Sequence, residues 1–363
     1  MSPEGWRPPA CAALSRSLQE PLCGTAPRVR GWLLIEQPGP WGRDRLRQSR
    51  LDPVLGDALA ARCADAGVRP VLIRTRQRRD VAAGRHVYLV RPGRADGWAE
   101  RLLVREDREL LDLDLDLPPG VGERLDPTES LFLVCTHGKK DACCASFGRP
   151  VVTGLGHRDG RVWESTHVGG DRFAATVVCL PSGIYYGRVT AESAEHIVAE
   201  HDRGRVVLEH YRGRCTDDPV MQFAEHTVRA ERSLLGLDDV IPLSAVPRPD
   251  GDTDVLVRHP DGTDLVRVRT TRAEPRLTAC SAGVVDSPDR FEAAPPPVRL
   301  FGCPSYQNGA RVRSAPCGRR SRCGCAGDSW CSRGIHRADS SAHSSPAVEK
   351  PVDECHQHDS DRG

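Results

Sequence analysis

Between Cys135 and Asp171 the sequence gathers residue types that hold metals or attack electrophiles. Cys135-Thr136-His137-Gly138-Lys139-Lys140-Asp141-Ala142-Cys143-Cys144 begins at the end of an apolar run and enters a short helix that Asp141 is placed to cap. A helix N-terminus presents free N–H groups and the positive end of aligned peptide dipoles, which favours thiolate over thiol. Lys139, Lys140 and His137 push the same way, so this loop prepares thiolates, and a thiolate is either a nucleophile or a metal ligand. Adjacent helical residues point about 100° apart, so at most one of Cys143 and Cys144 faces the same centre as Cys135; spacing does not choose between them. His167 and Asp171 flank Val168-Gly169-Gly170. Glycine admits positive φ and a close backbone approach, and a pair of groups from this second loop would complete a four-point site with two cysteines.

The elements around these loops follow from apolar patterning. Leu131 to Val134 is a strand running into Cys135, and the helix after Asp141 spans Ala142 to Phe147, ended by Gly148 and Pro150. Val162 to Ser165 is the next strand, leading to His167. Phe173–Leu180 and Ile184–Val189 form a hairpin across Pro181-Ser182-Gly183. Thr190 caps a helix with Ala194, Ile197 and Val198 on one face. Asp218-Pro219 opens another, ending at Gly236, with Val220, Phe223, Ala224 and Val228 buried. This order is that of a thioredoxin-like domain.

Upstream, Trp32 to Glu36 is a strand, Asp52-Pro53 opens a helix closed by Gly67, and Val71–Ile73 and His86–Val90 are strands. Leu111 to Leu117 alternates leucine and aspartate, predicting a strand whose polar face carries Asp112, Asp114 and Asp116. Trp32 to Ile35 leads to Gly39-Pro40-Trp41-Gly42 much as Leu131 to Val134 leads to Cys135 and Gly138, so the two units read as a duplication whose first copy lacks the cysteines and histidine.

The expected fold is therefore α/β: two tandem thioredoxin-like units with mixed sheets, plus a disordered C-terminal tail. Residues 1–25 are a polar lead-in, 26–125 the degenerate unit and 126–245 the chemical unit. Residues 246–283 are a terminal β-hairpin (Asp254–Val257 with Leu265–Val268 across Asp261-Gly262), and 284–363 a low-complexity tail.

Composition excludes several classes. The 363 residues carry 51 basic and 50 acidic side chains, a net charge of +1, so no field attracts nucleic acid. No apolar run approaches the roughly 18–20 residues that span a bilayer, and the N-terminus lacks the apolar stretch of a secretory signal; a cytoplasmic protein is expected. There the 15 cysteines favour metal or redox chemistry over structural disulfides. Cys317, Cys323, Cys325 and Cys331 in the tail lack the close pairs of a zinc site. Cys11, Cys23, Cys63, Cys179, Cys215 and Cys280 read as small core or boundary residues. No nucleophile elbow, phosphate loop or complete dinucleotide fingerprint is present, so electrons would come from a partner.

The Cys135–Cys144 run, Gly148-Arg149-Pro150, His167-Val168-Gly169-Gly170-Asp171-Arg172-Phe173-Ala174, Glu36 to Gly42 and Tyr211-Arg212-Gly213-Arg214 together resemble the sucrase/ferredoxin-like proteins, over about residues 11–283. The resemblance implies a thioredoxin-like ferredoxin whose two-iron two-sulfur cluster is held by two cysteines and two histidines. Those positions fall on Cys135, Cys144, His167 and Asp171. Aspartate replaces the second histidine, and a hard oxygen donor suits iron–sulfur chemistry less well. The fourth group is thus Asp171, Cys143 or His137, or the cluster is weakly held or absent, or Asp171 orients the His167 ring. The implied function is electron transfer with redox partners such as a flavoprotein reductase, and Lys139, Lys140 and Arg172 would ring an edge that docks an acidic partner. Two other readings stand beside it: a thiol–disulfide enzyme using Cys143 or Cys144 with Cys135, and a structural zinc site on the same residues. Nothing in the residues supports sucrase chemistry.

Overall fold

Continuous apolar runs flanked by capped helices become the central strands of one large sheet. The computed structural model describes residues 10–75, 84–126, 128–156, 160–280 and 284–294. In chain order the elements are α1 (Cys11–Ser17), β1 (Gly31–Glu36), α2 (Pro53–Asp65), β2 (Val68–Arg74), β3 (Arg85–Arg91), β4 (Trp98–Val104), β5 (Glu123–Arg124) and β6 (Leu131–Cys135). There follow α3 (Ala142–Leu155), β7 (Val162–Ser165), β8 (Val177–Leu180), β9 (Ile184–Tyr186), α4 (Ala191–Asp202), β10 (Tyr211–Arg214) and α5 (Pro219–Arg232). The last are β11 (Ile241–Pro247), β12 (Thr253–His259), β13 (Gly262–Arg272), β14 (Arg276–Ala279), β15 (Val284–Asp286) and β16 (Asp289–Ala293).

The first ten strands form one sheet in the order β10-β9-β8-β6-β7-β2-β1-β3-β4-β5. Each half repeats one plan: a strand, a helix, a parallel neighbour, then antiparallel strands on the other side (β1 with β2, β3 and β4; β6 with β7, β8 and β9). The halves meet where β2 pairs antiparallel with β7, Ile73 opposite Ser165 and Arg74 opposite Glu164. One row of the sheet therefore reads Glu36, Ile73, Ser165, Cys135. Glu36 holds the place in the first half that Cys135 holds in the second.

Both faces of the sheet are covered, which is why β1 and β6 are buried along their whole length and carry consecutive apolar residues (Trp32–Ile35 and Leu131–Val134) rather than alternating ones. On one face Trp32 and Leu34 join Ile73, Leu131, Leu133, Cys135 and Trp163 in a core that crosses the junction. On the other, Leu33 and Ile35 pack with Leu59 and Cys63 of α2, and Phe132 and Val134 with Val151, Val152 and Ile197 of α3 and α4. Fully burying each such side chain is worth about 1.5–3 kcal/mol.

Several expectations change. Residues 1–25 are not a bare lead-in, because Cys11 and Ala12 of α1 are buried against Cys143, Ala174 and Leu277. Leu111 to Leu117 is no strand: a 3-10 turn at Asp107–Leu111 leads into bends. Its polarity was nevertheless as expected, with Leu113, Leu115 and Leu117 buried and Asp112, Asp114 and Asp116 exposed.

Helix α3 continues through Gly148 and Pro150 to Leu155. Burial of Val151, Val152 and Leu155 outweighs the amide lost at Pro150, and Gly156, at φ 64°, ends it. Helix α5 stops at Arg232 with Ser233 left-handed, before Gly236. The hairpin across Asp261-Gly262 is present as β12–β13, but it belongs to a four-stranded sheet, β11-β12-β13-β16, packed on α5. That sheet and the β14–β15 pair carry ordered structure past residue 283 to Ala293, into the stretch expected to be tail. Residues 295–363 lie outside the described residues. Among those described, no helix is long and apolar enough to cross a membrane.

One core residue makes stability depend on pH. His201 of α4 lies edge-on to the Phe132 ring at 5.7 Å, and burial, aided by Arg214, pushes its pKa from 6.5 down to about 4. The unfolded chain takes up this proton near pH 6.5 and the folded chain only near pH 4. The contribution is therefore complete above pH 6.5 and is lost as pH falls toward 4, by about 3 kcal/mol. Urea unfolding of the unsubstituted chain and His201→Gln should show a stability gap that narrows across this window. A gap independent of pH would refute the assignment.

Candidate metal centre

Strand β6, an interior strand, carries Cys135 at its C-terminal end with the side chain on the core face, and α3 begins just after it. Asp141 caps α3 by accepting from Cys143 N at 2.9 Å. The helix lies so close to β6 that a Cβ at Gly148 would overlap the Cys135 carbonyl oxygen. This contact fixes the rotation of α3: Cys144 is directed to Cys135 and Cys143 away from it. Strand β7 brings in the second loop, where Gly169 and Gly170 take φ of 109° and 80°. Fully buried Arg212 of β10 braces that loop, its guanidinium donating to Gly169 O at 3.1 Å and to Thr25 O at 2.6 Å. A side chain at Gly170 would collide with this guanidinium.

Cys135 Sγ, Cys144 Sγ and a ring nitrogen of His167 lie within 4.8 Å of one another. Asp171 falls outside that mutually close set yet touches two of its members: Oδ1 is 2.8 Å from His167 Nδ1 and accepts from Cys144 Sγ at 3.1 Å. The four groups close a ring, since Cys135 hydrogen-bonds both Cys144 and His167.

Their electrostatics are mutual. The hydrogen bond from Cys144, with a further one from His167, outweighs burial and holds the Cys135 thiol well below its ordinary value. The same contact pushes Cys144 up, as do burial and the negative charges of Cys135 and Asp171. Burial opposes charge on His167, but Asp171 and Cys135 overcome it and raise the imidazole to about 9. Burial likewise opposes charge on Asp171, and His167 more than compensates, lowering it. Cys144 and His167 therefore hold the protons that a metal would have to displace.

The remaining candidates lie elsewhere. His137 is committed to structure: Nε2 contacts Gly42 O at 2.7 Å and Nδ1 accepts from His167 N at 3.2 Å. Cys143 meets Cys11 and Cys280 instead, at Sγ–Sγ distances of 3.7 and 3.6 Å. Lys139 is exposed, but Arg172 is paired with Glu20 at 2.8 Å and lies over Phe173, so it does not join Lys139 and Lys140 on an open rim. The cationic surface comes mostly from the first half. A cleft of about 600 Å³ beside His137 and His167 is lined by Arg28, Arg43, Arg45, Arg69 and Lys140. Neither this wall nor the brace by Arg212 was read from the sequence, although Tyr211 to Arg214 stood out as a motif.

Three comparisons bear on this geometry. A family model described as sucrase/ferredoxin-like matches residues 22–213. The chain is 32% identical over 103 residues to the protein named altered inheritance of mitochondria protein 32 of Meyerozyma guilliermondii. That match covers 25% of this chain and 36% of the yeast protein, so the chain spans about a third of its relative's length. No solved structure matches.

Proposed function

From the membership of this chain in the sucrase/ferredoxin-like family, we propose that it is an electron-transfer protein whose second half, a thioredoxin-like unit, holds a two-iron two-sulfur cluster. The observation that carries this reading is the convergence of Cys135, Cys144 and His167, from two loops of one half, within 4.8 Å. Two soft sulfurs and an imidazole suit iron–sulfur chemistry. Asp171, the hard donor, is the fourth group of the site and fixes the His167 ring and the Cys144 thiol through the contacts above. When bound, the cluster would supply one-electron transfer, at a potential raised by the histidine relative to an all-cysteine ferredoxin.

The protein's own part is to hold Cys135 as thiolate, to give up protons from Cys144 and His167 on loading, and to keep the His167 loop in place through Arg212. The first half, lacking these ligands, supplies the arginine-lined cleft, whose charge suits an acidic electron-transfer partner such as a flavoprotein reductase. A cytoplasmic setting agrees with the nine described cysteines, all free thiols.

The test is iron and acid-labile sulfide content, with a visible spectrum, on protein purified without air. About two of each per chain are expected for a cluster of this type, with a chromophore that bleaches on reduction. Colourless, iron-free protein after anaerobic reconstitution would overturn the reading. Cys135 and Cys144 would then stand as a thiol pair or, with His167, as a zinc site.

A further inference from the structure

A second cluster of sulfur ligands lies on the far side of the α3 N-terminus. Cys11 opens α1, Cys143 is the second residue of α3, and Cys280 follows β14, so three distant segments converge. Cys143 Sγ is central, 3.7 Å from Cys11 Sγ and 3.6 Å from Cys280 Sγ. Sulfurs at about 2.3 Å from a tetrahedral zinc ion stand about 3.8 Å apart, so these are the edges of such a site. They exceed the bond length of about 2.05 Å in a disulfide.

Asp141 completes the group. Its carboxylate oxygens each lie 3.9 Å from Cys11 Sγ and accept from Cys143 N at 2.9 Å and Cys280 N at 2.6 Å. It is fully buried, and it has no ion pair among the described residues. A buried carboxylate without a cationic partner is costly, and a divalent ion beside it would supply the missing charge.

We propose that Cys11, Cys143, Cys280 and Asp141 bind a zinc ion at a structural site distinct from the Cys135 centre. Three sulfurs and one oxygen within 4.8 Å of one another are a zinc donor set, and four protein groups leave no open position for catalysis. The ion would tie α1 and β14 to the start of α3, immediately behind Cys144. The inference does not depend on the iron–sulfur reading.

The experiment uses the full chain, expressed with added zinc and purified without chelator. Metal content is measured, and cysteine alkylation is mapped by mass spectrometry before and after chelation. About one zinc per chain is expected, with Cys11, Cys143 and Cys280 alkylated more than about tenfold more slowly until the metal is removed. Cys280 is only partly buried, so Cys280→Ser should fold, lose the zinc and keep its iron. Zinc-free protein, protection mapping to Cys135 and Cys144 or to the tail instead, or a disulfide among the three thiols would each overturn the proposal. Absent iron with this zinc footprint intact would instead count against the cluster alone.

Discussion

Serine in place of Cys144 is expected to lower bound iron by more than about tenfold, whereas serine in place of Cys143 leaves iron content unchanged. The two residues are neighbours on one helical turn, share the same dipole, and are equally buried at 3% exposure. Composition, charge and accessibility therefore predict the same effect for both. Orientation separates them: Cys144 faces Cys135, His167 and Asp171, while Cys143 faces Cys11 and Cys280. Serine nearly preserves the volume of either side chain, so loss of metal would report lost ligation rather than collapse of α3. Iron and sulfide analysis with visible spectra on both variants decides the matter. Equal loss in both would show that α3 does not sit in this rotation.

Arg229→Met is expected to cost about 3–5 kcal/mol of stability. Arg229 and Glu225 of α5 are both fully buried and bonded through two guanidinium nitrogens at 3.0 and 2.9 Å. The same guanidinium donates to the carbonyls of Leu234, Gly236 and Leu237 at 3.1, 2.8 and 2.9 Å, closing the turn that follows the helix. Methionine fills the space of the stem but leaves a carboxylate and three carbonyls without these donors. Arg94, 3.8 Å from Glu225 on its other side, relieves part of the charge. Arg229→Lys should recover only part of the loss, because an ammonium cannot reproduce the planar fork. Urea midpoints measure all three chains; a loss below about 1 kcal/mol for Arg229→Met would place the pair among weak surface bridges.

What the sequence disclosed was local. The caps at Asp52, Asp141 and Thr190 and the apolar runs at Trp32 and Leu131 mark elements that tertiary packing did not override. The convergence of Cys135, Cys144 and His167 was legible because each follows a strand or opens a helix of one small unit. The choice of Cys144 over Cys143 came only through the family resemblance and not from helix geometry, since it depends on the Gly148 backbone lying against Cys135, a contact between chain segments. Cys11 and Cys280 looked like ordinary core residues for a related reason: 269 residues separate them, and no spacing rule reaches that far. Pro150 misled because its local cost is visible in sequence while the burial that offsets it is not. The Leu111–Leu117 alternation was true of polarity and false of structure, because burying every second residue does not require a strand.

The junction between the halves has a further consequence. Strands β2 and β7 are equivalent members of the two repeats, and they pair antiparallel about the Ile73–Ser165 and Arg74–Glu164 positions. An antiparallel pairing of equivalent strands is the geometry of an isologous, two-fold dimer interface, here enclosed in a single polypeptide. Two identical subunits so joined would carry two equal sites; in this chain the two equivalent positions hold different residues, Glu36 and Cys135. The mirror of the Cys135 thiol is the buried carboxylate of Glu36, which accepts from His86 N at 3.0 Å and so serves the sheet. The second half brings Cys135, Cys144 and His167 together, while the first half forms most of the wall of the cleft beside them.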